Sequence, residues 1–333
     1  MGERDVEEVK ASLARGPRSR GIDACRVLAA VLVIWIHATS AVEFHPSIRH
    51  TTLGYLGVPF FTAAAMLFAV RQSYGGATAT TLVVARIRRI LVPFAVWAAV
   101  YWLITDLVFG RLMNGVPLEF DWREAMKGFT WHLWFLPFVF AVGVGAVLVA
   151  RASVRSVTLT AAFVLAALFG AGALLGVPAG SDLDIRRWPY ELPVALVSLA
   201  MALALRRGWL QIPRRVWTAG VLWLGVISLA VYALLEGQPP ARRAGQAAGV
   251  LMLIAALATP DRCVPMWLAR LGSLGFSVYV VHVVILQVLL NLLERDGVLT
   301  PAEALAVFSA TVVLSFAVSW AGKRTPLVRR VLP

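Results

Sequence analysis

An aspartate, an arginine and a histidine share one apolar stretch near the start of the chain, "RGIDACRVLAAVLVIWIHAT" (residues 20–39). On a helix, at about 100° per residue, Arg26 and His37 differ by about 20° around the axis and by about 16 Å along it. Asp23 lies about 40° from His37 on the same arithmetic, so all three share a face. Asp23 and Arg26 sit at the inner end, and His37 projects near or beyond the middle. A charge at the centre of a membrane helix costs roughly 2.5–3.5 kcal/mol on insertion scales, which makes such residues informative. A neutral imidazole at that depth can take a proton from a hydroxyl, which is general-base chemistry. The alternative is a packed histidine held by a neighbouring hydroxyl or carbonyl.

Three further groups carry polar chemistry. In "ARIRRILVPF", Arg86 and Arg89 are three apart and are expected on one helix face. Paired guanidinium groups grip phosphates bidentately, although the same residues also suit a cytoplasmic anchor. In "TWHLWFLPFVF", His132 stands beside Trp131 and Trp134, and in "LGSLGFSVYVVHVVIL", Tyr279 and His282 are one turn apart. Taken singly, these two read as interfacial aromatics and a hydrogen-bonded tyrosine–histidine pair. Glu43, His45 and His50 lie in a Pro-containing loop, but their spacing fits no ligand pattern. No metal and no cofactor is expected.

These residues must be positioned by membrane helices. The 333 residues are 59% hydrophobic and 15% charged, against roughly 45–50% and 25% in soluble domains. Mean hydropathy is +0.77. Apolar segments of near-membrane length fall at about 24–43, 53–70, 90–109, 131–150, 157–177, 189–205, 216–235, 244–259, 271–291 and 303–321. The expected fold is therefore an all-α polytopic membrane protein of about ten transmembrane helices. Residues 1–20 form a polar cytoplasmic tail, 21–325 the membrane domain, and 326–333 a C-terminal cytoplasmic tail. The leader before the first span is long and partly acidic, so a retained first helix is expected rather than a cleaved signal. Residues 110–130 suit an interfacial helix, Trp131, Trp188, Trp209 and Trp267 suit interfacial anchors, and Gly172 with Gly176 suits close helix approach.

The net charge of +13 is arranged by side, not clustered on a module. With the N-terminus inside, 22 of the 31 Lys/Arg residues face the cytoplasm, whereas 12 of the 18 acids face the other way. That is the positive-inside pattern, with both termini cytoplasmic. It argues against nucleic acid as a partner. Cys25 and Cys263 both fall on the cytoplasmic side, where a disulfide is not expected.

Taken in order, Asp23 and Arg26 followed by His37, Arg86-x-x-Arg89, "HLWFLP" at 132–137 and "SLGFSVYVVH" at 273–282 resemble the acyltransferase-3 family of integral membrane acyltransferases. The resemblance runs from about residue 20 to 325. The second span departs from it, with "PFFTAAAMLF" where the family often has a Ser-Gly pair. The resemblance implies an enzyme that takes an acyl group, often acetyl, from cytoplasmic acyl-CoA and places it on a hydroxyl of a carbohydrate or glycosylated acceptor. It implies that Arg26 and His37 match the family's arginine–histidine pair, and that Arg86 and Arg89 match its paired arginines. With no C-terminal esterase-like domain, the membrane part is expected to handle the acceptor alone.

On this reading His37 is the catalytic base and Arg26, Arg86 and Arg89 bind acyl-CoA. Asp23, His132, Trp134, Tyr279 and His282 support them. The setting is the plasma membrane of a bacterial-type cell, crossed many times, and the lipid bilayer is a partner. Direct transfer and an acyl-enzyme relay both remain open. The rival is a transporter or flippase for an anionic or glycosylated substrate, which also uses buried charges.

Overall fold

The computed structural model describes residues 19–40, 55–104, 125, 128–130, 132–152, 187–235, 240–293 and 299–325. Their regular elements are all helical: α1 (Arg20–Ser40), α2 (Gly57–Ser73), α3 (Ala79–Arg86), a π-helical turn (Ile87–Leu91), α4 (Val92–Trp102), α5 (Phe135–Arg151), α6 (Arg187–Arg206), α7 (Val216–Leu235), α8 (Pro240–Ala258), a short 3₁₀ turn (Asp261–Cys263), α9 (Met266–Gly272), α10 (Gly275–Leu292) and α11 (Pro301–Arg324). Each apolar segment expected from the sequence coincides with a helix, except 157–177, which lies outside the described residues. Among the described residues, four helices are long and apolar enough to cross a membrane: Arg20–Thr39, Val216–Leu234, Gly275–Leu292 and Ala302–Arg324. The chain is a helical membrane protein. Residues 1–18 of the expected N-terminal tail, the C-terminal tail, Gly172, Gly176, Trp131 and the Glu43, His45 and His50 group lie outside the described residues.

Local sequence explains where these helices start and bend. At the head of α11, "TPAE" forms a capping box. The Thr300 side chain accepts from the Glu303 N–H and the Glu303 carboxylate accepts from the Thr300 N–H at 2.9 Å, with Pro301 in the first turn. Thr78 caps α3 in the same sense by accepting from the Thr81 N–H. The helix through residues 79–102 widens to a π turn at Ile87–Leu91, immediately before Pro93. Pro93 has no N–H to give to the Arg89 carbonyl, and its ring crowds that oxygen in an α-helix. The π turn opens the ladder there, and the Val92 N–H reaches back to the Ile87 carbonyl.

The chain divides into two compact units, one of Ala65–Leu210 and one of Ser19–Ala64 with Gln211–Pro333. In the second, α1 is the central helix. Gly21 lets the Ala256 carbonyl of α8 approach, and Gly272 of α9 lies so close to Asp23 that a Cβ would run into its carbonyl oxygen. α10 lies alongside α1 in the same direction. Gly275 packs near the Arg26 side chain, and further along Ala30 and Ile34 pack with Leu274 and Val278. α11 closes that seam with Phe308, Val312 and Phe316, and Trp35 meets the Phe308 ring edge-on at 5.0 Å between centroids. The opposite faces of α7 and α11 expose Val221, Leu224, Val313 and Val318, as a lipid-facing surface requires.

The first unit contains the second half of α2 and α3 to α6. Here Arg151, at the end of α5, donates to the carbonyls of Ser73 and Ala77, pinning the turn that follows α2. Arg206 stacks on the Tyr74 ring at 4.8 Å.

Candidate active site

The polar face of α1 is built as its spacing requires. Asp23 is buried, and its Oδ1 accepts from Arg26 Nη1 at 2.8 Å, while the Arg26 side chain keeps partial access to solvent. The pair is thus charge-balanced at the N-terminal end of the helix. About three turns further, His37 is buried at 7% exposure.

His37 does not stand alone. Its ring lies against that of His282 of α10, with centroids 5.0 Å apart and planes 24° from parallel. His282 is fully buried. Its Nδ1 lies 2.7 Å from the Tyr279 carbonyl and 3.2 Å from that of Val278. Those carbonyls can only accept, so Nδ1 carries the proton, and in the neutral ring Nε2 holds the lone pair. Tyr279 and His282 are expected from the sequence to pair through a hydrogen bond. The bond exists, but through the Tyr279 backbone, and the two rings are merely tilted neighbours at 6.0 Å. Two imidazoles from helices far apart in sequence therefore lie stacked in the buried interior of one unit.

The paired arginines are in the other unit and do not share an environment, contrary to the expectation of one face. Arg86 closes α3 and is buried, whereas Arg89 falls within the π turn and is exposed. The π turn is the reason, because it changes the angular step between them. Arg86 Nη2 reaches the Gln72 side-chain oxygen at 3.5 Å. Its guanidinium lies over Gly143 of α5, where a Cβ would stand 2.6 Å from Nη1. Burial, and then the neighbouring Arg89 charge, lower the Arg86 pKa. It remains a cation, held at a cost that an anion would relieve.

His132 and Trp134 precede α5 as packed residues. His132 Nδ1 pairs with the Thr130 hydroxyl at 3.0 Å, and its Nε2 lies 3.5 Å from the Tyr101 hydroxyl. Trp134 packs against Phe135 and Phe138. Both nitrogens of His132 are engaged, so it reads as a structural histidine. Of the expected anchors, Trp209 and Trp267 are well exposed and Trp188 is half-buried. Sequence reasoning passed over Glu191, a buried carboxylate on α6. Its signal was an acid inside the apolar run "YELPVALV". Among the described residues no group of three His, Cys, Asp or Glu side chains could hold a metal.

Long apolar helices that carry buried polar groups mark an integral membrane protein. A family model described as an acyltransferase domain, that of the acyltransferase-3 family, matches residues 19–320. The chain belongs to that family and is an acyltransferase of groups other than aminoacyl. No curated protein and no solved structure gives a match.

Proposed function

We propose that the protein transfers an acyl group, acetyl in the first instance, from cytoplasmic acyl-CoA to a hydroxyl of a carbohydrate or other glycosylated acceptor. The observation that carries this reading is the buried pair of His37 and His282, with His37 on the helix whose inner end bears Arg26. His37 takes the proton of the acceptor hydroxyl as its oxygen attacks the thioester carbonyl. The new C–O bond forms, the C–S bond breaks, and the imidazolium returns the proton to the departing CoA sulfur. His282, stacked on the His37 ring, holds it in place. Arg26, Arg86 and Arg89 bind the CoA phosphates, Arg26 under the control of Asp23.

In this reading about ten helices cross the plasma membrane of a bacterial-type cell, with both termini in the cytoplasm. Donor phosphates stay on the inner side, and the acyl group travels along α1 towards His37. The test is mass spectrometry of cell-envelope and secreted glycosides from cells with and without the protein. A mass increment of one acyl group, dependent on the protein, supports the proposal and names both substrates. Transport of an unmodified glycoside, with no acylated product, would favour the flippase reading instead.

A further inference from the structure

The ends of α2, α5 and α6 meet around Tyr74 in the first unit. Arg151, the last residue of α5, donates to the carbonyls of Ser73 and Ala77 on either side of that tyrosine. Arg206, the last residue of α6, lays its guanidinium on the Tyr74 ring at 4.8 Å. α6 then stops in a Schellman motif. Gly208 takes φ 74°, its N–H donates to the Leu205 carbonyl at 3.3 Å, and the Trp209 N–H donates to that of Ala204 at 2.9 Å. This cap fixes the direction in which Trp209 leaves the helix. The indole is 73% exposed, and the Arg207 guanidinium lies 4.9 Å from its ring centroid.

We propose that this patch at the end of α6 binds the headgroup phosphate of an anionic phospholipid. Arginine is favoured in a last turn simply because a helix C-terminus carries partial negative charge. Here, however, the Arg206 and Arg207 guanidinium groups lie on aromatic rings, and among the described residues neither bonds the carbonyls that close α6. A guanidinium backed by a ring is held with its N–H edges outward, the disposition that meets phosphate oxygens in pairs.

The apolar surface beside the patch decides between a lipid and a soluble anion. Leu210 follows Trp209 and is exposed with it, and an indole beside cations occupies the depth at which headgroups meet acyl chains. Ala200 is exposed on α6, seven residues before Arg207 and within about 20° of its direction. Val197, one turn further, is exposed as well. An acyl chain therefore has an apolar strip along α6 that starts at the headgroup position, and a soluble phosphate compound gains nothing from it. The inference rests on the helical membrane fold, and not on the acyl-transfer reading.

Native mass spectrometry of the full chain in detergent tests it, with dioleoyl phosphatidylglycerol or dioleoyl phosphatidylcholine added. The expected result is a retained phosphatidylglycerol adduct and no comparable phosphatidylcholine adduct. Arg206→Gln with Arg207→Gln should weaken the adduct by roughly tenfold or more, as removal of two phosphate-facing cations predicts. Trp209→Ala changes no charge and should weaken it by about threefold, through loss of the ring behind Arg207. Arg215→Gln with Arg262→Gln, which removes two exposed arginines of the other unit, should change it less than about twofold. Equal retention of the two lipids by the wild-type chain would overturn the proposal without recourse to any variant. So would equal losses from the two arginine pairs, an unchanged adduct in Trp209→Ala, or displacement of the adduct by CoA or inorganic phosphate.

Discussion

His37 and His282, separated by most of the chain, lie ring over ring at 5.0 Å in the interior of one unit. A lone buried histidine can be explained by packing, but two adjacent imidazoles need a reason to be kept polar. If His37 is the general base, His37→Ala and His37→Gln should both insert and purify normally yet lose transfer by about 100-fold or more. Gln preserves reach and hydrogen bonding but accepts no proton at neutral pH. Transfer by the wild type should also decline at acid pH, as imidazole protonates and ceases to be a base. Near-normal turnover by purified His37→Gln would remove His37 from the mechanism.

His282 should behave differently, as a positioning residue. His282→Phe keeps an aromatic ring against His37 and should retain the fold, with transfer reduced by about tenfold and the acid limb of the pH profile displaced. An unaltered pH profile together with full activity would leave His282 as a packing residue only.

The α1 face was legible from spacing alone, because an eleven-residue interval on a 3.6-residue helix fixes direction without any tertiary knowledge. The partnership with His282 was not, since it depends on α1 and α10 lying side by side, a long-range fact with no local signature. The split between Arg86 and Arg89 had a signal in Pro93, yet a proline can kink, end or widen a helix, and the sequence does not choose among them. Helix positions followed hydropathy well. Their first turns did not, as α1 begins at Arg20 and α8 at Pro240, because caps and polar first turns extend helices beyond the apolar run.

Gly143 leaves room for the Arg86 guanidinium, and this separates binding from folding. Gly143→Ala should move the flexible end of the arginine with little effect on thermal stability, while weakening acyl-CoA binding several-fold, a loss of about 1 kcal/mol. Arg86→Ala with Arg89→Ala should weaken it further, and Arg207→Ala with Arg215→Ala should do little. Titration of purified variants with acyl-CoA gives the comparison. Equal losses from both arginine pairs would mean that Arg86 and Arg89 serve only as cytoplasmic anchors.

Close approach of α9 to α1 makes the opposite forecast at Gly272. A methyl group there meets backbone and not a movable side chain, so Gly272→Ala should destabilise by about 3 kcal/mol or fail to fold. Gly145→Ala, which adds its methyl to open space, should be neutral or slightly stabilising. Thermal denaturation in detergent measures both, and comparable melting temperatures would disprove the tight α1–α9 contact.

The proposed topology has a direct check. Reporter fusions at the N-terminus and after Pro333 should both register on the cytoplasmic side. An outside signal from either would reverse the sidedness on which the proposed donor site depends.

The widened turn at Ile87–Leu91 can be regarded as one surplus residue inside an otherwise regular rod. It acts as a swivel set at a fixed angle, since it rotates everything beyond it by roughly one residue's step relative to everything before. Deleting Ile90 would allow the ladder to close as an ordinary helix. The Tyr101 side, which meets His132 edge-on at 5.1 Å, would then be turned away from its neighbour although no residue near either had changed. The aromatic surroundings of His132 are in this sense set by chain length, at a point three turns distant.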